Sequence, residues 1–140
     1  GNRTLAWLRE QDPEQPFFLH VGFAGPHSPI EPARRFMDLY REQEQPPAWG
    51  LEASQGWLAD GRRGYRAMIS QIDEQVGRLY DCLAEQGLLE NTIWVYTADH
   101  GEMAGAHGLF GKSCLFEDSI RVPLIMAGPG IPAGRGLRVT

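Results

Sequence analysis

A stripe of apolar residues between Tyr65 and Gln86 constrains this chain most: Ile69, Ile72, Val76, Leu79 and Leu83 recur three and four positions apart, with charged residues between them. On a helix of about 3.6 residues per turn this spacing gathers them on one face, and that face must be buried against other elements. Gly87 follows where helices commonly close in left-handed backbone. Three apolar runs, too short for helices, are candidates to cover the face. Phe17 to Phe23 is closed by Gly25-Pro26, Ile93 to Thr97 is β-branched and aromatic, and Val122 to Met126 precedes Gly128-Pro129-Gly130. All three read as strands, and the continuous run Phe17 to Phe23 as one buried on both faces. Pro123 cannot donate to a ladder, so it belongs at the start of the last strand or at an unpaired position.

Shorter helices are expected at Thr4 to Glu10, where Leu5, Trp7 and Leu8 precede the stop at Asp12-Pro13, then at Arg34 to Tyr40 and around Ser113 to Ser119. Between Ala24 and Trp57 five prolines (Pro26, Pro29, Pro32, Pro46, Pro47) predict a long surface excursion, of the kind that often carries function. Strand, loop with helix, strand, loop and strand together predict an α/β fold with a mainly parallel sheet flanked by helices. A chain of 140 residues is the size of one domain, so residues 1–140 are assigned to one. Three strands would leave hydrophobic edges uncovered, and Gly136 to Thr140 reads as the opening of another extended segment. The expectation is therefore an incomplete part of a larger domain.

The net charge of −5 comes from acids and bases mixed along the chain, not in blocks, which argues against a nucleic-acid or membrane surface. No apolar run reaches the ~20 residues of a membrane span. Cys82 and Cys114 lack metal-knuckle spacing and do not define a disulfide framework. The compartment, exported or cytoplasmic, is left open by the sequence, as is oligomeric state.

In an open α/β sheet, ligands bind beyond the carboxyl ends of strands, and the polar clusters of this sequence lie there. Asp99 and His100 follow the second apolar run, and Gly101 lets the backbone turn behind them. One carboxylate oxygen and one imidazole nitrogen at a strand end are half of a divalent metal site. The alternative is a turn-capping Asp99 with an exposed His100. Lys112 follows Gly105, Gly108 and Gly111, a loop that can fold tightly and present an ammonium to an anion, although most lysines are simply solvated. These glycines do not match a nucleotide-binding P-loop, because Ala106 stands where its first glycine belongs. His27, between Pro26 and Ser28-Pro29, is a candidate acid or hydrogen-bond donor, or else a surface histidine. His20 is expected in the core or at an interface, and His107 as a loop-packing residue in preference to a supporting donor.

Taken together, Pro16-Phe17-Phe18-Leu19, Pro26-His27-Ser28-Pro29, Thr97-Ala98-Asp99-His100-Gly101, Gly105 to Lys112 and Arg121-Val122-Pro123-Leu124-Ile125 resemble the sulfatase family of the alkaline phosphatase superfamily. The similarity covers nearly the whole chain from Pro16 onward. It implies an alkaline phosphatase-like fold and metal-dependent hydrolysis of sulfate esters. Asp99 and His100 match the family's metal-binding pair, Lys112 the lysine that contacts the sulfate and leaving-group oxygen, and His27 the histidine of the substrate pocket. The implied cofactor is a divalent ion, Ca2+ first with Mn2+ or Mg2+ as alternatives, and the implied partner is a small anionic sulfate or phosphonate ester. The family's nucleophile, a formylglycine made in a Cys- or Ser-x-Pro-x-Arg motif, has no counterpart here, nor do its other metal-binding acids. The resemblance thus implies the central part of a sulfatase, inactive when isolated, with the nucleophile outside this chain. Two other functions share these residues: a phosphonate monoester or phosphodiester hydrolase, and a non-catalytic domain that binds anions or a partner. Substrate choice is expected to rest on segments such as Gln43 to Arg63, whose Trp49 and Trp57 are candidates either for stacking on a ring or for local packing alone.

Overall fold

The computed structural model describes residues 1–47, 49–50, 56–134 and 136. Six regular elements follow one another: α1 (Asn2–Arg9), α2 (Arg34–Asp38), α3 (Gly56–Glu85), β1 (Trp94–Thr97), α4 (Glu117–Ile120) and β2 (Leu124–Ala127), with single 3-10 turns at Leu89–Asn91 and Ala106–Gly108. The extended segment expected over Gly136 to Thr140 lies almost wholly outside the described residues, as do residues 48 and 51–55 of the segment expected to set specificity.

α3 is the organising element. Its stripe buries Ile72, Leu79 and Leu83 as the spacing predicts, joined by Ala67 and Cys82, whereas Ile69 is 42% exposed. The helix begins at Gly56, nine positions before the predicted Tyr65, because Leu58, Ala59 and Gly64 are also buried there. Gly64 suits this packing, since a Cβ there would lie 2.5 Å from Cγ2 of Ile30. At the other end Gly87 has φ +69, its N–H donates to the Ala84 carbonyl, and the Leu88 N–H donates to the Leu83 carbonyl. These two bonds form the Schellman closure that a glycine after the stripe predicts.

Two helices are laid on α3. Leu5 and Leu8 of α1 join Leu79, Cys82 and Leu83 in one buried cluster. Each buried leucine is worth about 1.5–3 kcal/mol. α2 is held farther toward the N-terminus of α3 by buried Phe36, by two Arg35–Glu74 contacts of 2.5 and 2.6 Å, and by the 2.7 Å Tyr40–Ser70 hydroxyl bond.

The strands depart from expectation in two ways. Phe17 to Phe23 is extended but joins no ladder among the described residues. Its exposure alternates, with Phe17, Leu19, Val21 and Phe23 packed on the α1–α3 cluster and Phe18, His20 and Gly22 turned outward. His20 is therefore exposed, not in this chain's core. The ladder that does form pairs β1 with β2 antiparallel, Trp94 opposite Ala127 and Thr97 opposite Leu124, so the predicted mainly parallel sheet is not what these strands make. A crossover to a parallel neighbour usually runs through a helix, as α3 lies between Phe23 and β1; the connection from β1 to β2 holds only a 3-10 turn and the single-turn α4, and it returns the chain antiparallel. Phe17 to Phe23, expected to be buried on both faces, is covered on one; β2 is exposed throughout and only Trp94 of β1 is partly covered, against Tyr80. Pro123 stands immediately before β2, as its missing donor requires.

Candidate active site

The chain leaves β1 at Thr97 and meets Asp99 and His100 two and three residues later. Asp99 Oδ1 accepts the His100 backbone N–H at 3.1 Å, which folds the carboxylate back over the following residue. The His100 Nδ1 lies 2.7 Å from the Gly101 carbonyl. A carbonyl only accepts, so Nδ1 carries the proton and, in the neutral ring, Nε2 presents a lone pair. That lone pair sits 3.6 Å from Asp99 Oδ2. A carboxylate oxygen and an imidazole nitrogen thus stand side by side, with the imidazole oriented through a backbone carbonyl as metal-ligating histidines usually are. This donor set suits a divalent cation. Among the described residues no group of three or more His, Cys, Asp or Glu could hold a metal, so the pair can supply two ligands and no more.

Gly101 is needed for a reason other than a sharp turn. A Cβ on it would run into the carbonyl oxygens of Asp118 and Arg121, and its N–H donates to the Ser119 carbonyl at 2.8 Å. The strand-end pair is therefore backed directly by α4.

Beyond Gly101 the chain makes a closed loop. Met103 N–H donates to the Gly111 carbonyl at 2.9 Å and Gly105 N–H to the Leu109 carbonyl at 2.8 Å. Glu102 Oε1 accepts from both ends of the same loop, from Ala104 N–H at 3.1 Å and from Gly111 N–H at 2.6 Å. Glu102 was not singled out in the sequence; an acid immediately before a glycine-rich loop was the available signal. The Tyr65 phenol is raised above its ordinary value by burial, with the Glu102 carboxylate and Tyr96 pushing the same way.

Lys112 follows Gly111 directly, and its Nζ lies 2.9 Å from Nε2 of His27. His27 Nδ1 is bonded to the Ser28 carbonyl at 2.7 Å, so Nδ1 carries the proton and Nε2 accepts from the ammonium. The structure thus brings together Lys112 and His27, which belong to separate loops, and holds Asp99 and His100 as a pair. The ammonium has three N–H groups and spends one on His27.

His107 packs: its ring stacks on Phe116 at 4.2 Å, and its backbone N–H donates to the Trp49 carbonyl at 2.7 Å. Trp57 lies against Phe110 at 5.6 Å, which ties α3 to the Lys112 loop. Cys82 is buried in the α1–α3 cluster and Cys114 Sγ lies 3.5 Å from the Met103 sulfur, so both thiols sit in packing roles.

Helices pack beside extended segments, with Asp99 and His100 beyond the end of β1, and the solved structures of similar fold are of the alkaline phosphatase-like class. The phosphonate monoester hydrolase of Agrobacterium radiobacter superposes with a TM-score of 0.80 and 28% identity, over 92% of this chain and 32% of that one. The sulfatase family profile matches residues 2–138, and the chain belongs to the sulfatase family. It is 35% identical over 149 residues to an arylsulfatase of Clostridium perfringens, covering 92% of this chain and 31% of the relative. It is 36% identical over 166 residues to a choline-sulfatase of Rhizobium meliloti, covering 100% of this chain and 32% of the relative. The chain therefore spans about a third of the length of these curated relatives. These relatives are sulfuric ester hydrolases by name, and the family is one of enzymes. Among the described residues no helix is long and apolar enough to cross a membrane.

Proposed function

We propose that residues 1–140 form part of a single catalytic domain that hydrolyses sulfate esters, and that this chain contributes the cation ligands Asp99 and His100 and the substrate contacts Lys112 and His27. The observation that carries this reading is the 2.9 Å Lys112–His27 bond, which joins two loops into one cationic, hydrogen-bonding unit in a member of the sulfatase family. Asp99 Oδ2 and His100 Nε2 would hold a divalent ion, Ca2+ with Mn2+ or Mg2+ as alternatives. When bound, the ion withdraws negative charge from the ester oxygens, which favours attack at sulfur. The ligands that complete its shell, and a formylglycine nucleophile, are expected from outside this chain.

This chain's own residues then act on the anion. The two Lys112 N–H groups not given to His27 are available to ester oxygens, where fixed charge is commonly the largest contribution to catalysis. As the ester bond breaks, negative charge gathers on the leaving oxygen, and Lys112 Nζ is the group that can donate a proton there. His27 Nε2 accepts from the ammonium and holds it in place, while the Ser28 carbonyl fixes the ring.

The test is a comparison of kcat/KM for matched aryl sulfate and aryl phosphonate esters in the full-length protein. Faster sulfate hydrolysis is expected. The likeness to a phosphonate monoester hydrolase favours one second reading, in which the phosphonate is the better substrate. No turnover of either ester would favour a non-catalytic, anion-binding role.

A further inference from the structure

We infer that Glu102 is the positioning residue that sets Lys112 against its anion, acting as a hydrogen-bond acceptor and not as a charge. The inference rests on the reading of Lys112 as the substrate contact, and its geometry is local. Two bonds, a local one from Ala104 N–H at 3.1 Å and one across the mouth of the loop from Gly111 N–H at 2.6 Å, end on the same oxygen, Oε1. Gly111 is the residue before Lys112, so the shorter bond fixes the peptide from which the lysine side chain departs. The loop between these two points holds Ala104 at φ 45, Gly105 at φ 93, His107 at φ 53 and Gly108 at φ 75. Left-handed backbone is costly for residues other than glycine and persists only where the surroundings over-determine it. The backbone bonds from Met103 to Gly111 and from Gly105 to Leu109 provide part of that restraint. Glu102 adds to it by tying Ala104 and Gly111 to one side-chain atom.

Lys112 Nζ meets His27 Nε2 at 2.9 Å, and His27 is anchored in another loop by the Ser28 carbonyl. A loop free to shift at Gly111 would carry Nζ off this bond. Misplacement of a reacting group by about 1 Å can cost around 100-fold in rate.

A glutamine retains Oε1 and both acceptor lone pairs while losing the charge. In the full-length protein Glu102→Ala is therefore expected to lower kcat by about 100-fold with little change in KM, whereas Glu102→Gln stays within about 3-fold of the unmodified protein. Histidine 15N shifts, with His27 assigned through His27→Gln, supply a readout independent of turnover. The hydrogen-bonded Nε2 signal should persist in Glu102→Gln and be lost in Glu102→Ala. Equal losses in both variants would overturn the inference, since the charge would then be what matters; so would an unchanged kcat or His27 spectrum in Glu102→Ala. If Glu102→Ala does not fold, Glu102→Gln decides alone: retained activity and spectrum support the inference, and their loss overturns it. Lys112→Ala separates the two levels. Full activity in that variant removes the reading of Lys112 itself, whereas an inactive Lys112→Ala beside an unaffected Glu102→Ala removes only the role of Glu102.

Discussion

Lys112 Nζ donates to His27 Nε2 at 2.9 Å across 85 positions of sequence, and this bond is the meeting point of the proline-bounded loop after Phe23 with the glycine-rich loop after β1. Because His27 Nδ1 is committed to the Ser28 carbonyl, the pair is polarised in one direction: the ammonium donates and the ring accepts. Removing either partner therefore has a different consequence.

Lys112→Ala takes away the cation and is expected to reduce kcat on an aryl sulfate by about 100- to 1000-fold, the range for losing one preorganised donor to a developing anion. Lys112→Arg should recover little, because a planar guanidinium cannot place its donors where a compact ammonium sits beside His27. Steady-state kinetics of both variants in the full-length protein check this; an arginine variant with near-normal kcat would mean that bulk positive charge suffices.

His27→Gln keeps a polar side chain of moderate size but cannot reproduce both the Ser28 bond and the acceptor for Lys112 in one rigid ring. A smaller loss than for Lys112→Ala is expected, about 10- to 100-fold in kcat, the upper end being the cost of misplacing a reacting group by about 1 Å. The double variant should be little worse than Lys112→Ala alone, since residues that act as a unit are strongly non-additive. Additive losses in the double variant would show that His27 and Lys112 work independently.

Asp99→Ala and His100→Ala each remove one of two adjacent donors. Divalent-ion content measured by elemental analysis and esterase activity are expected to fall together in both variants. His100 carries a second dependence, because its ring is oriented by the Gly101 carbonyl at 2.7 Å, and loss of such an orienting partner typically costs 10- to 100-fold in metal affinity. Metal content that stays unchanged in Asp99→Ala would remove the pair from the cation site.

The sequence was legible where a single periodicity or a chain-breaking residue governed the outcome. The stripe through Ile72, Leu79 and Leu83 and the closure at Gly87 follow from spacing and backbone sterics alone. The early start of α3 was not legible, because Gly56, Gly61 and Gly64 read as loop, and the burial of Gly64 against Ile30 depends on a segment distant in sequence. Nor was the direction of β2: the apolar run Val122 to Met126 fits either orientation, and only the connection through the short α4 decides it. Within the site, His27 and Lys112 could be suspected one at a time, yet their contact depends on how two loops meet. Glu102 was harder to read because its partners are backbone N–H groups, so the one signal it left was an acid immediately before a glycine-rich loop.

The Arg35–Glu74 pair predicts a pH dependence of stability. Hydrogen bonding to Arg35 holds the Glu74 carboxyl below its ordinary 4.5, with charge attraction to Arg35 and Arg78 acting the same way. A depressed folded-state value means that the contribution is fully present above about pH 4.5 and is lost as the pH falls through the lower folded value. Glu74→Gln should therefore lower the urea midpoint slightly near pH 7, with the difference from the unmodified protein shrinking below pH 4. The effect is small because both side chains are open to solvent, 64% and 37% exposed. A difference that widens in acid would reverse the sign assigned here.

Gly101→Ala tests whether the strand-end pair and α4 form one unit. An alanine Cβ would meet the backbone carbonyl oxygens of Asp118 and Arg121, groups that cannot move aside as the tip of a flexible side chain could. The Gly101 N–H also donates to the Ser119 carbonyl at 2.8 Å, so any shift that relieves the clash lengthens that bond. Overpacking of this kind typically costs about 1–3 kcal/mol, and a lower unfolding midpoint is expected. The displacement has a second effect because the Gly101 carbonyl accepts the His100 Nδ1 proton: the ring turns with it, and Nε2 leaves its place beside Asp99 Oδ2. Divalent-ion affinity should therefore fall in Gly101→Ala under conditions where the protein is still folded, as titration of the metal-stripped full-length variant would show. A variant that loses stability but keeps its ion affinity would show that α4 supports the fold here without setting the geometry of Asp99 and His100.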